Sequence, residues 1–90
     1  MNKEEVEKVR RNISLILSKY FTYNRIRGIY EHEGYFLINI HPKALYSKRL
    51  QKLSQDLYRH KYWTKDIQIE YDVINEVFKV EIKIEVLGDK

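Results

Sequence analysis

The chain has 90 residues, a length that fits one domain and leaves no room for a second. Apolar residues make up 43% of it and charged residues 33%, a composition that excludes an intrinsically disordered chain and favours a small hydrophobic core. The chain has no cysteine, which excludes disulfides and thiolate metal sites. Together with a charged N-terminus and no long apolar run, this predicts a cytoplasmic protein.

The first predicted element is an amphipathic helix over about residues 3–21. Its apolar residues recur every three or four positions and fall on one stripe, which consists of Val6, Val9, Ile13, Ile16, Leu17 and Tyr20. Asn2 and Glu5 have the spacing of a capping box, in which each side chain binds the backbone N–H of the other residue. The helix is therefore expected to begin directly after Asn2.

A hairpin and a second helix are predicted next. From Asn24 to Ile40 apolar residues recur at every second position, on both sides of a polar turn at residues 31–34. This pattern is typical of a β-hairpin. Pro42 suits the first turn of a helix, because its missing N–H would have no partner there. Four apolar residues at helical spacing follow, Tyr46, Leu50, Leu53 and Leu57, and predict a helix from Pro42 to about Lys61.

The last two elements are strands, at Ile67–Val73 and Phe78–Val86, because apolar and polar residues alternate in both runs. The whole chain, residues 1–90, then reads α-β-β-α-β-β as a single domain. Since consecutive strands usually pair, we expect an α+β two-layer sandwich with a four-stranded antiparallel sheet in the order three-four-two-one and both helices on one face. This is a circular permutation of the ferredoxin-like topology, which does not by itself specify a function. Tyr35–Ile40 is apolar at nearly every position, as expected for a central strand.

The net charge of +4 is unevenly distributed along the chain. Residues 1–41 carry +2, residues 42–65 carry +6 and residues 66–90 carry −4. At about 100° per residue, the second helix places a row of residues opposite its leucines, namely Lys48, Lys52, Gln55, Arg59 and Tyr62. The first helix adds further cations on its polar side. We therefore expect a positive helix face, with Glu70, Asp72, Glu81 and Glu85 on the opposite side of the sheet.

Lysine and arginine interleaved with aromatic residues suit nucleic-acid binding, because cations bind phosphates and aromatic rings stack on bases. The sequence therefore predicts a small non-enzymatic DNA- or RNA-binding protein that contacts the phosphate backbone with weak sequence specificity and needs no cofactor. The predicted contact residues are Lys48, Arg49, Lys52, Arg59, Lys61, Tyr62 and Trp63, supported by Lys8, Arg11 and Lys19. Tyr62 and Trp63, at the end of the second helix, are the candidates for stacking on a base. The simpler interpretation is that these cations only keep two amphipathic helices in water.

A protein-interaction module is the alternative, either a subunit or an inhibitor of a larger complex, as viruses and mobile elements encode. Leu15 interrupts the polar side of the first helix, and Tyr35 and Leu37 are expected on the open face of the sheet. The separation of charge also permits a self-complementary homodimer.

Signatures of metal binding and catalysis are sparse. His32, His41 and His60 fall on different predicted elements, so we expect no metal site. Asp72 followed by Glu81-Ile82-Lys83 resembles the Asp…Glu-x-Lys signature of restriction-like nucleases, and the resemblance implies carboxylates that hold Mg²⁺ beside a lysine. The sequence departs from that family because no proline precedes the aspartate and no helix follows the motif. A ladder of alternating charges that keeps one sheet face in water explains the same residues, and the protein is predicted not to be an enzyme.

Overall fold

The structure, a computed structural model, describes residues 1–88 as an α+β domain with the predicted α-β-β-α-β-β order. Its elements are α1 (Lys3–Leu17), a 3-10 turn (Tyr23–Arg25), β1 (Ile26–His32), β2 (Tyr35–Ile40), α2 (Ser47–Arg59), β3 (Tyr62–Asp72) and β4 (Val77–Val86).

The four strands form one antiparallel sheet in the order β1-β2-β4-β3. This is the predicted order, so the circularly permuted ferredoxin-like topology is confirmed. Both helices pack on one face of the sheet, and we call the other face the open face. The central strand β2 buries Phe36, Ile38 and Ile40 under the helices and leaves Tyr35 and Leu37 half-buried on the open face.

α1 forms as its sequence predicts. The Asn2 side chain accepts the N–H of Glu5 (2.8 Å) and the Glu5 carboxylate accepts the N–H of Asn2 (3.0 Å), which completes the capping box. The buried part of its apolar stripe is Val9, Ile13, Ile16 and Leu17. Each such fully buried aliphatic side chain contributes roughly 1.5–3 kcal/mol, so this stripe fixes α1 on the sheet.

Both helices are shorter than predicted. α1 ends at Leu17 rather than near residue 21, because the chain tightens into a turn there. The N–H groups of Lys19 and Tyr20 donate three residues back instead of four, and the Ser18 hydroxyl donates to the Leu15 carbonyl (2.7 Å). Within residues 1–88, no helix is long and apolar enough to cross a membrane.

α2 begins at Ser47, so the prediction that Pro42 occupies its first turn is wrong. The carbonyl of the buried Pro42 accepts the N–H of Phe78 (2.8 Å), which continues the pairing of β4 beyond the end of β2. Because that carbonyl is hydrogen-bonded to β4, Pro42 still belongs to the edge of the sheet and the helix starts five residues later. Tyr46, predicted as a core residue of α2, precedes the helix and is exposed.

α2 ends at Arg59 rather than near Lys61. Lys61 has a φ of 70°, in the left-handed region, and there the chain reverses direction. β3 therefore starts at Tyr62, five residues before the predicted start at Ile67. The extra length makes β3 an 11-residue strand, the longest of the four in the described chain.

Both outer strands carry a one-residue β-bulge occupied by a basic residue. The register of β1 shifts at Arg27 and that of β3 shifts at Lys65. A bulge with a charged side chain interrupts the row of free backbone groups on an edge strand and opposes pairing with another sheet.

The β3–β4 hairpin extends beyond the helices. A helix of 13 residues covers about 20 Å, whereas a strand of 11 residues covers about 36 Å. The molecule is accordingly elongated, with extents of 43 × 24 × 20 Å. We call residues 69–78, at the far end of this hairpin, the hairpin arm.

Candidate nucleic-acid interface

Six exposed cations lie on the outer side of the two helices. They are Lys8, Arg11 and Lys19 from α1 and the turn after it, and Lys48, Lys52 and Arg59 from α2. We call these six residues the basic helix layer. The acidic residues of α1 are confined to its first half, and the only acidic residue of α2, Asp56, is buried at 4% exposure. Every exposed charge on α2 is therefore positive.

The two helices lie antiparallel, which joins their cations into one surface. At one end Asn12 of α1 donates a hydrogen bond to the Tyr62 hydroxyl beyond the end of α2 (3.0 Å). At the other end the Arg49 guanidinium of α2 lies 5.7 Å from the ring of Phe21, which follows α1. The side-by-side packing brings Lys19 to Asp56, in the last turn of α2.

Asp56 connects the helices beneath these cations. Its carboxylate accepts a hydrogen bond from the Tyr20 hydroxyl (3.0 Å) and lies 3.5 Å from Lys19 Nζ and 3.2 Å from Arg59 Nη2. Burial alone would raise the pKa of Asp56, but the Tyr20 hydrogen bond and the two cations outweigh burial and lower it. The carboxylate therefore stays ionised at neutral pH and contacts both Lys19 and Arg59.

His60 also contacts Asp56. Its Nδ1 is 2.8 Å from the Asp56 carbonyl oxygen and 3.6 Å from the carboxylate, at the C-terminal end of α2. The predicted contact residue Arg49 is only half-exposed, because its guanidinium covers the ring of Tyr46 (5.1 Å) as well as Phe21. Arg49 is thus at the margin of the basic helix layer.

The prediction that Tyr62 lies on the outer face of the second helix is wrong. Tyr62 is the first residue of β3 and is only 5% exposed, so its ring packs in the core and cannot stack on a base. The neighbouring Lys61 is exposed, and so is Trp63, at 44% of its surface. Trp63 lies on edge strand β3 instead of the end of α2, where the sequence had placed it.

A groove runs between α2 and the edge strand β3. It is lined by Ser54, Gln55, Tyr58, Arg59, Trp63 and Thr64, and we call it the α2–β3 groove. The two aromatic side chains in this lining are exposed, Tyr58 at 60% and Trp63 at 44%. Sequence reasoning missed Tyr58, although its angle on the helix places it on the flank between the leucine stripe and the basic row. The groove adjoins the basic helix layer, since Arg59 belongs to both.

The open face of the sheet is mixed in sign. Glu70, Glu81 and Glu85 lie there as predicted, but lysines alternate with them along β4. Lys65 Nζ lies 3.3 Å from the Glu85 carboxylate. The expected separation of a positive helix face from a negative sheet face is therefore incomplete, because cross-strand pairing and the alternating charges of β4 place lysines beside the acids.

The Tyr35 ring on this face is covered by ammonium groups. Lys83 Nζ lies 4.2 Å and Lys65 Nζ 5.3 Å from its centroid. Tyr30 on β1 packs over Gly28, where a Cβ atom would overlap its ring. Leu15, by contrast, is exposed on the outer side of α1, as predicted.

The nuclease-like residues are not brought together. The Asp72 carboxylate accepts N–H groups of Ile74 and Asn75 (both 3.1 Å) and the Asn75 side chain (2.8 Å), and these Asn75 bonds lower its pKa. It therefore serves the turn of the hairpin arm. Asp72 pairs with Val77 and lies four positions from Glu81, about 13 Å along the strand.

The three histidines are likewise dispersed, over the end of β1, the loop after β2 and the end of α2. In residues 1–88, no three His, Asp or Glu side chains are grouped as they would be to hold a metal ion.

Comparison with known protein families, with curated proteins and with solved structures finds no match to this chain.

Proposed function

We propose that this protein binds nucleic acid, and that the basic helix layer contacts the phosphate backbone without catalysis. The observation that carries the proposal is the charge on α2, where every exposed ionised group is a cation and the one carboxylate is buried under them. A solvated helix without a polyanionic partner gains from having both signs on its surface, through pairs four residues apart. The exposed residues of α2 form no such pair, because its one carboxylate is that of the buried Asp56, which contacts Arg59.

The spacing of the cations suits a phosphate backbone. Lys48, Lys52 and Arg59 lie on one side of α2, about 6 and 10 Å apart along its axis. Phosphates of one strand of a duplex follow one another about every 3.4 Å along its axis, so the row can span several of them. Cations that point at phosphates carry no sequence information, which agrees with the weak specificity expected from the sequence.

A salt titration tests the proposal. Fluorescence anisotropy of labelled 12-nucleotide single strands and duplexes should detect binding at 50 mM salt. Affinity should fall linearly on a logarithmic plot as salt rises, because each neutralised phosphate releases counterions. An affinity that is undetectable at 50 mM salt, or that does not change between 50 and 200 mM salt, would contradict the proposal.

A second candidate function, contact with another protein, is favoured by the hairpin arm. Ile74 is 92% and Val73 is 76% exposed, and Ile69 and Tyr71 are about half-exposed on the adjoining strand. Such a cluster of apolar side chains on a protruding arm marks an interaction surface. The partner we propose is a second copy of the chain, since arm-to-arm contact would leave the basic helix layer of each copy open.

The mass in solution decides this second candidate. A homodimer through the arm should dissociate when Val73 and Ile74 are both replaced by Asp, as measured by light scattering after size exclusion. The matching control is Leu15→Asp, which alters an exposed apolar side chain on α1. A monomeric mass for the unaltered protein at about 100 μM would contradict the homodimer.

A further inference from the structure

The α2–β3 groove places two exposed aromatic rings from different elements beside an arginine. Tyr58 comes from the last turn of α2 and Trp63 from the start of β3, and Arg59 also lines the groove. Large aromatic side chains ordinarily bury most of their apolar surface, and these two do not. A planar apolar ligand would bury both rings.

Polar groups complete the lining of the groove. Ser54, Gln55 and Thr64 are the uncharged polar residues of the lining. The Thr64 hydroxyl oxygen is itself buried and has no hydrogen-bond partner among the described residues. Aromatic faces with a few hydrogen-bonding groups at their margin are what sites for unpaired bases contain.

The position of the groove connects it to the basic helix layer. The row formed by Lys48 and Lys52 ends at Arg59, and Arg59 also lines the groove. A strand whose phosphates follow this row therefore arrives at the two rings. The Arg59 guanidinium lies 3.2 Å from the Asp56 carboxylate, at the point where the row meets the groove.

The Tyr35 ring on the open face is a poorer candidate for a base, because the ammonium groups of Lys65 and Lys83 lie 5.3 and 4.2 Å from its centroid. Trp63 borders both surfaces: it pairs with Glu85 in the sheet, and Lys65 Nζ lies 5.6 Å from the centroid of its ring. The second ring of the groove, that of Tyr58, comes from α2, and no carboxylate is among the described residues that line the groove.

We infer that the α2–β3 groove receives an unpaired nucleobase between Tyr58 and Trp63, and that the protein therefore prefers single-stranded to duplex nucleic acid. The inference rests on the proposed function and names its ligand class. In a duplex the bases are stacked inside the helix and cannot enter the groove. Stacking on an aromatic side chain typically contributes roughly 5- to 150-fold in affinity per base.

Fluorescence of Trp63 tests this inference directly, because it is the single tryptophan of the chain. The full-length protein would be titrated with 12-nucleotide oligo-dT and oligo-U, with a 12-base-pair duplex, and with an abasic strand of equal length. We expect quenching by both single strands with bases, and binding without quenching for the abasic strand and the duplex. Binding of the last two would be followed by anisotropy of a label.

Tyr58→Ala is the matching variant, and Tyr30→Ala, an exposed tyrosine on β1, is its control. Tyr58→Ala should weaken single-strand binding about 5- to 150-fold and leave duplex binding unchanged, whereas Tyr30→Ala should change neither. Equal affinity for single strand, abasic strand and duplex, with no quenching, would overturn the inference while leaving the proposed function intact. If none of the four nucleic acids binds, both the inference and the proposed function are overturned.

Discussion

Replacement of Asp56 by Asn tests whether the buried carboxylate beneath the basic helix layer holds the two helices together. The change keeps the shape of the side chain and removes its charge. The Tyr20 hydroxyl and the Lys19 ammonium both contact Oδ2 and can still donate to an amide oxygen there, but an N–H₂ group then replaces Oδ1 and faces Arg59, which can only donate. An almost fully buried carboxylate is thereby exchanged for an amide whose donors have no acceptor.

The expected loss is about 2 kcal/mol in the free energy of unfolding. Leaving a buried polar group without a partner costs about 1–3 kcal/mol. The ion pairs to Lys19 and Arg59 add no more than about 1 kcal/mol each, because both cations are more than half-exposed. For a domain of this size, a loss of about 2 kcal/mol lowers the melting temperature by roughly 8–16 °C.

Urea unfolding followed by circular dichroism is the assay, with Asp66→Asn as the matched control. Asp66 is exposed, and its carboxylate contacts only the side chain of Gln68 (3.4 Å) among the hydrogen bonds of the described chain, so its variant should lose less than about 0.5 kcal/mol. In a double-mutant cycle, Tyr20→Phe should cost more in the unaltered protein than in the Asp56→Asn variant, where the Tyr20 hydroxyl no longer meets a charged acceptor. An unchanged or higher unfolding midpoint for Asp56→Asn would refute the role given to the carboxylate.

The pH dependence follows from the same group. Because the folded pKa of Asp56 lies below its ordinary value of 3.8, its contribution is complete above about pH 5 and is lost as pH falls through the folded pKa. The Asp56→Asn variant should lack that part of the acid-induced loss. The two proteins should therefore approach each other in stability as pH falls below 3.8.

Two further predictions concern the loop after β2 and the start of α1. Burial, followed by the nearby charges of Arg27 and Lys79, lowers the pKa of His41 from 6.5, so stability should decline as pH falls below 6.5. His41→Gln should reduce that decline in urea unfolding measured at pH 7 and pH 5, and an equally steep decline would contradict this. Asn2→Ala should cost about 1 kcal/mol by breaking the capping box with Glu5. An unchanged midpoint would show that this first turn contributes nothing to global stability.

Periodicity accounts for most of what was predictable in the fold. The apolar stripe of α1, the alternation in β2 and the alternation in β4 are local patterns, and each is buried as its spacing indicates. The strand order followed from the pairing of consecutive strands, because the short connections leave few other arrangements.

The errors occurred where distant residues decide the local structure. Pro42 satisfies the rules for a helix start, yet its carbonyl is used by Phe78, 36 residues away in the sequence. On a helical projection Tyr62 continues the basic row of α2. The left-handed conformation of Lys61 instead ends the helix, and Tyr62 begins β3. Neither contact is visible in local sequence spacing.

The candidate site was predictable in its charge but not in its geometry. The basic row of α2 is visible on a helical projection, and Lys48, Lys52 and Arg59 are exposed as expected. The α2–β3 groove depends on where β3 begins, and the connection through Asp56 depends on how the two helices align. Both depend on tertiary contacts, which local patterns in a single sequence do not reveal.

The most direct test of the central claim compares two variants that lose the same charge from opposite faces. Lys48→Gln with Lys52→Gln removes two cations from the basic helix layer, and Lys79→Gln with Lys83→Gln removes two from the open face. In salt titrations with a labelled 12-nucleotide single strand, the helix pair should reduce the slope of log affinity against log salt by about 1.4, or about 0.7 per lost contact. The open-face pair should leave it nearly unchanged. Equal reductions by the two pairs, or a larger one for the open-face pair, would contradict binding through the basic helix layer.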